Sequence, residues 1–352
     1  MATFTFLRTL IKKQLTRMAK RLLLSALMLA FCSSIWAQDL HYTNYAAAPQ
    51  ILNPAKIGDF LGTFKVGAIY RDQFSSFFNQ GFKSQGVFAE ANLPIGFKDH
   101  HWVSFGLALD TDTSGDLSFG TTRVTGTGAY HLALDKKYKN IFSVGVQYGM
   151  ITRRSDPTAL RTNTTLTGAT TDPDQQLLQL YDNSGADVNV GVKFESQLNK
   201  RTRFELGTGF YHFLASRTSN TSSGIATGDL IPFRVNVHTS LDHQFNKKVS
   251  LEPRIVYSRA DNATDLSLQF VTSYQFPKSE FDLGLGYRVG DALEFILGYH
   301  FNGWHAFGAY DMTVSSASEF NNNVGGFEIG VYKILVKHPK AKVETKQICP
   351  RL

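Results

Sequence analysis

The sequence predicts an all-β fold, a transmembrane outer-membrane β-barrel of about fourteen antiparallel strands. Three observations predict it. About ten segments alternate apolar with polar or very small residues, they follow a basic and apolar N-terminal leader, and no later apolar run approaches the roughly 20 residues of a spanning helix. Period-two alternation over about ten residues is typical of a strand that faces hydrocarbon on one side and water on the other.

The alternation also predicts where the strands lie. It is clearest in 142–150 (FSVGVQYGM), 188–195 (VNVGVKFE), 233–242 (FRVNVHTSLD) and 281–288 (FDLGLGYR). Similar patterns predict strands near 62–72, 82–94, 101–112, 118–134, 139–152, 184–198, 200–214, 231–245, 248–260, 264–276, 279–288, 292–301, 303–314 and 323–335. The long connections follow odd-numbered strands, at 73–81, 153–183, 215–230 and 315–322. Because outer-membrane barrels have short periplasmic turns and longer outer loops, both termini are predicted to be periplasmic.

The N-terminus resembles a secretory signal peptide. Residues 1–37 contain six basic and no acidic residues, then an apolar run at 22–31 and a cleavage-like stretch that ends at Ala37. Cys32 follows Phe31, whereas a lipoprotein signal needs small residues before its cysteine. The chain is therefore divided into a signal peptide (1–37), a periplasmic N-terminal plug or lid segment (38–61), the barrel (62–336) and a basic periplasmic tail (337–352). The tail is interpreted either as a solvated extension or as a partner-binding segment.

Charge and cysteine content exclude several classes. The chain has 36 basic and 29 acidic residues, and removal of the leader's six basic residues leaves 30 against 29. The basic balance thus belongs mainly to the leader and gives no support for nucleic-acid binding. After the leader only Cys349 remains, so an intramolecular disulfide is impossible there. The 43 % hydrophobic content is too low for a helical membrane protein but suits a barrel with a polar interior.

The segment 38–61 needs a role of its own. Pro49 and Pro54 exclude a regular central strand or helix, and its aromatic and aliphatic side chains need burial. Two roles are considered, a plug or lid at the periplasmic mouth and a docking surface for periplasmic machinery. The candidate residues for either role are Tyr42, Tyr45, Pro49, Leu52, Asn53 and Pro54.

The alternation also places many glycines on the inner face of the barrel. They are Gly106, Gly145, Gly149, Gly191, Gly207, Gly209, Gly284, Gly286 and Gly330, and they lie among charged residues such as Lys193, Glu205 and Arg234. Glycine weakens a strand unless close backbone approach or sharp coiling requires it. Two explanations remain open. The glycines either relieve crowding in a strongly tilted wall or leave room for an inserted polypeptide.

Catalytic and metal motifs are weak. His238, Ser240 and Asp242 alternate along one strand face, roughly 7 Å apart stepwise, too far for relayed hydrogen bonds. The stretch from Asp110 to Gly115 resembles the start of a calcium loop, but Thr121 stands where the bidentate Glu should be, so a hairpin turn is favoured over a calcium site at Asp110 and Asp112. No HExxH or cysteine-based zinc spacing is present, and no cofactor is predicted.

Several stretches resemble the PorP/SprF family of type IX secretion membrane proteins in Bacteroidota. The most specific stretches are 38–45 (QDLHYTNY), 48–58 (APQILNPAKIG) and 66–73 (VGAIYRDQ). The similarity continues through 128–134, 143–147, 187–191 and 283–288, so it covers essentially the whole chain after the leader.

This resemblance implies a non-enzymatic outer-membrane barrel that works with the type IX machinery. The implied partners are a secreted cargo or large adhesin with a C-terminal secretion signal, and periplasmic components of the machinery. The family includes a core branch and cargo-dedicated branches, and both remain open for this chain. The alternative is an outer-membrane solute channel or nutrient transporter, which would need an open, charge-lined pore. A hydrolase is disfavoured because no positioned nucleophile is evident.

Overall fold

The computed structural model describes residues 41–75, 81–93, 100–115, 118–154, 183–215, 232–261, 263–315, 318 and 323–336. Within these ranges fourteen antiparallel strands follow one another in sequence order around a closed barrel. They are β1 (Phe64–Gln73), β2 (Phe82–Leu93), β3 (His101–Ser114), β4 (Phe119–Ala133), β5 (Asn140–Arg154), β6 (Asn183–Asn199), β7 (Thr202–Ala215), β8 (Arg234–Gln244), β9 (Val249–Ala260), β10 (Ala263–Gln275), β11 (Ser279–Arg288), β12 (Ala292–Phe301), β13 (Trp304–Thr313) and β14 (Val324–Leu335).

The first and last strands close the sheet. They pair from Phe64 opposite Leu335 to Gln73 opposite Gly326, so both sides of β1 are hydrogen-bonded. The fourteen-strand antiparallel barrel predicted from the sequence is confirmed. The strand bounds differ from the predicted ones by a few residues, most at β8, which begins at Arg234 rather than at 231.

The two faces of each strand differ as a membrane barrel requires. In β5 the side chains of Val144, Val146, Tyr148 and Met150 point outward and are 40, 51, 59 and 54 % exposed, whereas the alternate residues Ser143 and Gln147 are buried. Such an outward apolar band faces lipid in an outer-membrane barrel, while the polar residues face the interior. Among the described residues, no helix has the length and apolar content needed to span a bilayer.

The barrel has two distinct ends. The odd-numbered strands all end at one end of the barrel, which we call the long-connection end because the longest connections, 155–182 and 216–233, follow β5 and β7 in the chain. Connections after even-numbered strands, such as 245–248, 276–278 and 302–303, lie at the opposite, short-turn end. The predicted leader (1–37), the predicted tail (337–352) and most of the two longest connections lie outside the described residues.

One irregularity in the wall affects the interior. The pairing of β6 with β7 shifts between Val188 and Val190, and His212 adopts a left-handed backbone with φ 59°. The His212 N–H donates to the side chain of Asn189 at 2.7 Å instead of to a strand carbonyl. As a result both Tyr211 and His212 are buried on the inner face, which a regular strand would not allow for adjacent residues.

Candidate functional site in the barrel lumen

The N-terminal segment lies inside the barrel. We call residues 41–63 the luminal segment. It contains one helical turn, α1 (Pro49–Leu52), and one 3-10 turn (Pro54–Lys56), and each begins with a proline, which suits a first helical position because its missing N–H would be unpaired there anyway. Asn53 joins the turns. Its backbone N–H donates to Pro49 O, and its side-chain oxygen accepts from the Ala55 N–H, both at 2.9 Å.

Most of the six candidate residues identified from the sequence are buried in the lumen. Tyr42, Leu52 and Asn53 are 2, 7 and 0 % exposed, Pro49 and Pro54 are also buried, and Tyr45 is half-buried with its ring stacked on His41. Tyr42 packs in an apolar cluster with segment residues Ala47 and Ala48 and with wall residues Ile69 and Phe307. These side chains therefore form contacts inside the barrel, and their role as a plug or as a docking surface stays a prediction.

Asn53 is the best-defined anchor of the segment. Its side-chain amide donates to Val192 O at 2.9 Å and lies 3.0 Å from His238 Nε2. Because the amide nitrogen can only donate, Nε2 must accept, and the ring proton then resides on Nδ1. That Nδ1 lies 3.3 Å from the Glu205 carboxylate. His238, considered for a catalytic triad in the sequence analysis, thus accepts a hydrogen bond from the luminal segment.

Wall side chains also bind the segment's backbone. Tyr211 Oη donates to Gln50 O at 2.9 Å, Asn236 Nδ2 donates to Leu52 O at 3.1 Å, and the His131 ring contacts Ile57 O at 3.0 Å. Asn92 Nδ2 lies within 3.1–3.2 Å of three carbonyls, those of Gly58, Phe60 and Gly62. Buried carbonyls need such partners, so the wall replaces the water that would otherwise solvate this irregular chain.

Thr43 and Asn44 lie in a cluster of buried charges. The Glu328 carboxylate accepts hydrogen bonds from both backbone N–H groups, at 2.7 and 3.1 Å. The Thr43 hydroxyl donates to Asp311 and accepts from Arg71, each at 2.7 Å, and Arg71 pairs with Asp311 at 2.8 Å. Removal of one member would leave a buried charge without its partner, so the segment and the wall stabilise each other here.

A second charge cluster lies nearer the short-turn end. Lys193 Nζ is 2.9 Å from Asp59 of the segment and 3.2 Å from Glu195 of the wall, and Lys56 of the segment forms an ion pair with Glu205. Burial alone would raise the pKa of Asp59, but the Lys193 ammonium lowers it below its usual value, so Asp59 is ionised at neutral pH. The segment and the wall thus each contribute both a cation and an anion to these ion pairs.

The inward glycines make room for the segment. A Cβ atom at Gly145 would collide with the backbone of Pro54 and Ala55, and one at Gly191 would collide with the Asn53 side chain. Cβ atoms at Gly207 and Gly209 would also press on segment atoms, namely Asn53 Nδ2 at 2.7 Å and Leu52 O at 2.8 Å. Of the two explanations left open by the sequence, room for an inserted polypeptide accounts for these four glycines.

We expect Gly145→Val to destabilise the protein by about 1–3 kcal/mol, as overpacking does in well-packed interiors. The added side chain meets backbone atoms of the turn that begins at Pro54, and these cannot rotate away. Gly128→Val on β4 is the matched control, because a Cβ there meets only Phe105, at 3.9 Å. Urea unfolding of both variants in detergent micelles measures the difference, and equal midpoints would contradict close packing at Gly145.

A cavity of about 400 Å³ remains at the short-turn end of the lumen. Its lining includes Glu252, Arg254, Asp282, His300 and His305 from the wall, together with Asp59 and Phe60 of the segment. Arg254 pairs with Glu252 at 2.7 Å. The cavity is therefore polar and charged, and its lining extends to Asn44 of the luminal segment.

The calcium-like stretch is not arranged as a turn. Asp110 and Asp112 belong to β3, which continues to Ser114, and the turn begins at Gly115 with φ 68°. Asp112 accepts a hydrogen bond from Ser84 at 2.5 Å on the neighbouring strand. The hairpin turn expected from Asp110 to Gly115 is thus displaced toward its C-terminal end, because the strand alternation continues through both aspartates.

Several contact residues were not identified from the sequence. Glu328, Asp311, Asn236, Asn92 and His131 come from five different strands. Each is a polar residue at an inward position of its strand, and this inward position was the only feature of the sequence that could have identified it. Their contacts with the segment join residues that are far apart in the sequence. Thr43 and Glu328, for example, are 285 residues apart.

Comparison with known proteins gives one family match. The family described as type IX secretion system membrane protein PorP/SprF matches residues 35–332. No curated protein sequence matches the chain at a significant level.

Similar solved structures of low sequence identity include a hydrocarbon channel and two toluene transporters. The CymD monoaromatic hydrocarbon channel is 9 % identical, with a TM-score of 0.49 over 83 % of this chain and 94 % of that one. The Ralstonia pickettii toluene transporter TbuX is 12 % identical, with a TM-score of 0.48 over 82 % and 94 %. The Pseudomonas putida toluene transporter TodX is 11 % identical, with a TM-score of 0.46 over 85 % and 93 %.

Proposed function

Because the chain belongs to the PorP/SprF family of type IX secretion system membrane proteins, we propose that it assists export or surface anchoring of a partner protein. The partner is a secreted type IX cargo, such as a large adhesin with a C-terminal secretion signal. In this proposal the barrel is a non-enzymatic outer-membrane component, and its lumen is closed by its own N-terminal segment. It binds its partners and does not conduct solutes.

The observation that supports this proposal is the filled lumen. A solute channel needs a continuous water-filled passage with charges free to meet the solute. Here Glu328, Asp311 and Lys193 of the wall are engaged by Thr43, Asn44 and Asp59 of the luminal segment. The interior charges therefore have a role in holding a polypeptide, which favours a closed barrel over the channel alternative.

The proposal also assigns an orientation. We place the short-turn end in the periplasm and the long-connection end outside, as in other outer-membrane barrels. The cavity and the end of β14 then face the periplasmic machinery. His41 lies 3.9 Å from Asp265 near the start of β10, which supports a segment that runs down the lumen toward β1 and acts as a plug.

Shortening both long connections, within 153–183 and 215–230, is expected to reduce surface display of the partner while the barrel still folds. These stretches contain many Thr, Ser, Asn and Gly residues, and loops of such length are usually functional or disordered. Surface labelling of the secreted partner in intact cells measures display. The control is the heat-dependent shift in electrophoretic mobility of the folded barrel. Unchanged display by a folded variant would contradict a role for these loops.

A further inference from the structure

Two histidines and an aspartate converge at the cavity. His300 of β12 and His305 of β13 are directly opposite in the strand register, and their rings stack with centroids 3.8 Å apart. Asp282 of β11 lies beside them, with Oδ2 2.8 Å from His300 Nε2 and 3.9 Å from His305 Nε2. One ligand atom from each residue lies within 4.8 Å of the other two.

His305 has unused binding capacity. Its side chain is 8 % exposed, and neither ring nitrogen has a hydrogen-bond partner among the described residues. A buried polar group without a hydrogen-bond partner lowers the stability of the fold, so its presence needs an explanation. Asp282 Oδ1 is likewise buried without a hydrogen bond from the described part of the chain. Two neighbouring side chains at the same place thus each present an unpaired atom.

Gly298 keeps the space between these groups open. It pairs with Asp282 across β11 and β12. A Cβ at this position would lie 3.0 Å from Asp282 Oδ2 and 3.1 Å from His305 Nε2. A side chain here would therefore enter the region on which the ligand atoms converge. This glycine does not contact the luminal segment in the way that Gly145 and Gly191 do.

The ligand set indicates the class of ion. Imidazole nitrogens and a carboxylate suit late first-row divalent metals such as Zn²⁺, whereas Mg²⁺ and Ca²⁺ prefer all-oxygen sites. Zinc bonds of about 2.0–2.2 Å place tetrahedral ligand atoms roughly 3.3–3.6 Å apart, which lies between the two distances from Asp282 Oδ2 to the histidines. The adjoining cavity leaves room for a water ligand.

We propose that Asp282, His300 and His305 form a Zn²⁺-type metal site at the short-turn end of the lumen. The neighbouring cations do not oppose it strongly, because Lys65 pairs with Glu90 at 2.6 Å and Arg254 with Glu252 at 2.7 Å. The other group of facing acids, Asp59, Glu195 and Glu205, already holds the Lys193 ammonium and offers no comparable place. This proposal is independent of the proposed function.

Titration calorimetry of the full-length purified barrel, freed of metal by a chelator, tests the site with Zn²⁺. We expect about one Zn²⁺ per chain, and binding at least about tenfold weaker in His305→Ala and Asp282→Asn, since even outer-shell changes at metal sites cost 10–100-fold. Gly298→Ala should weaken binding without removing a ligand. His243→Ala is the matched control, because His243 is paired with Thr202 at the end of β8 and should bind as the unsubstituted protein does.

The outcomes separate clearly. Loss of binding in folded His305→Ala or Gly298→Ala, with retention in His243→Ala, supports the site. Folding is checked by heat-dependent mobility, and Gly298→Ala serves if the histidine variant does not fold. Absence of Zn²⁺ binding by the unsubstituted protein, equal binding by all variants, or equally tight binding of Mg²⁺ would overturn the proposal.

Discussion

A barrel that lacks residues 41–58 is expected to conduct ions steadily in planar bilayers, whereas the intact protein should show little steady current. The deleted residues include Thr43, Asn44 and Asn53, whose contacts span the lumen from Glu328 on β14 to Val192 on β6. Without them the inner face would present hydrated charges and glycines around an open passage, as in water-filled barrels. Single-channel recording of both proteins measures the change.

The control for this deletion is a chain of equal length in which residues 41–58 are replaced by glycine and serine. This chain still occupies the lumen but cannot form the contacts of Asn53, Lys56 and their neighbours. Because it is not held in place, the barrel should conduct intermittently. Heat-dependent mobility confirms that each barrel is folded. Large, steady currents from the intact protein would favour the solute-channel alternative. A folded deletion variant without current would show that the segment does not close the barrel.

Deletion of the whole gene is expected to abolish surface display of the partner protein. This expectation follows from the proposed function, which rests on the family membership and on the luminal segment. If the protein serves one cargo, unrelated type IX cargo should still reach the surface. If it belongs to the core machinery, all such cargo should be retained in the cell. The fate of the unrelated cargo therefore distinguishes a cargo-dedicated member of the family from a core-machinery member.

Strand positions were predictable because the two faces of each strand meet different solvents. In β5, Val144, Val146 and Tyr148 face outward and Ser143 and Gln147 face inward, so the period of two appears directly in the sequence. The bulge at His212 was not predictable in the same way. It depends on a hydrogen bond from the His212 N–H to Asn189 on the adjacent strand, which a one-strand pattern does not contain.

The filled lumen was partly predictable. Pro49 and Pro54 indicated a segment outside the regular sheet, and space for one was one of two explanations for the inward glycines. The contacts themselves depend on strands that closure of the barrel brings together, as for Thr43 with Glu328. The clustering of His300 with His305 was within reach of sequence reasoning, because a turn at 302–303 places the two residues opposite each other. Two histidines separated by four residues fit only half of a Cys2His2 zinc motif, and the sequence has no cysteine pair to complete it.

The proposed role of this barrel in protein secretion can be decided by surface labelling of two secreted proteins. The partner protein and an unrelated type IX cargo are surface-labelled in parallel, in wild-type cells, in the gene deletion and in the deletion complemented with the full chain. The account predicts loss of the partner from the surface in the deletion and its return on complementation. Normal display of both proteins in the gene deletion would contradict the account and leave the solute channel as the better explanation.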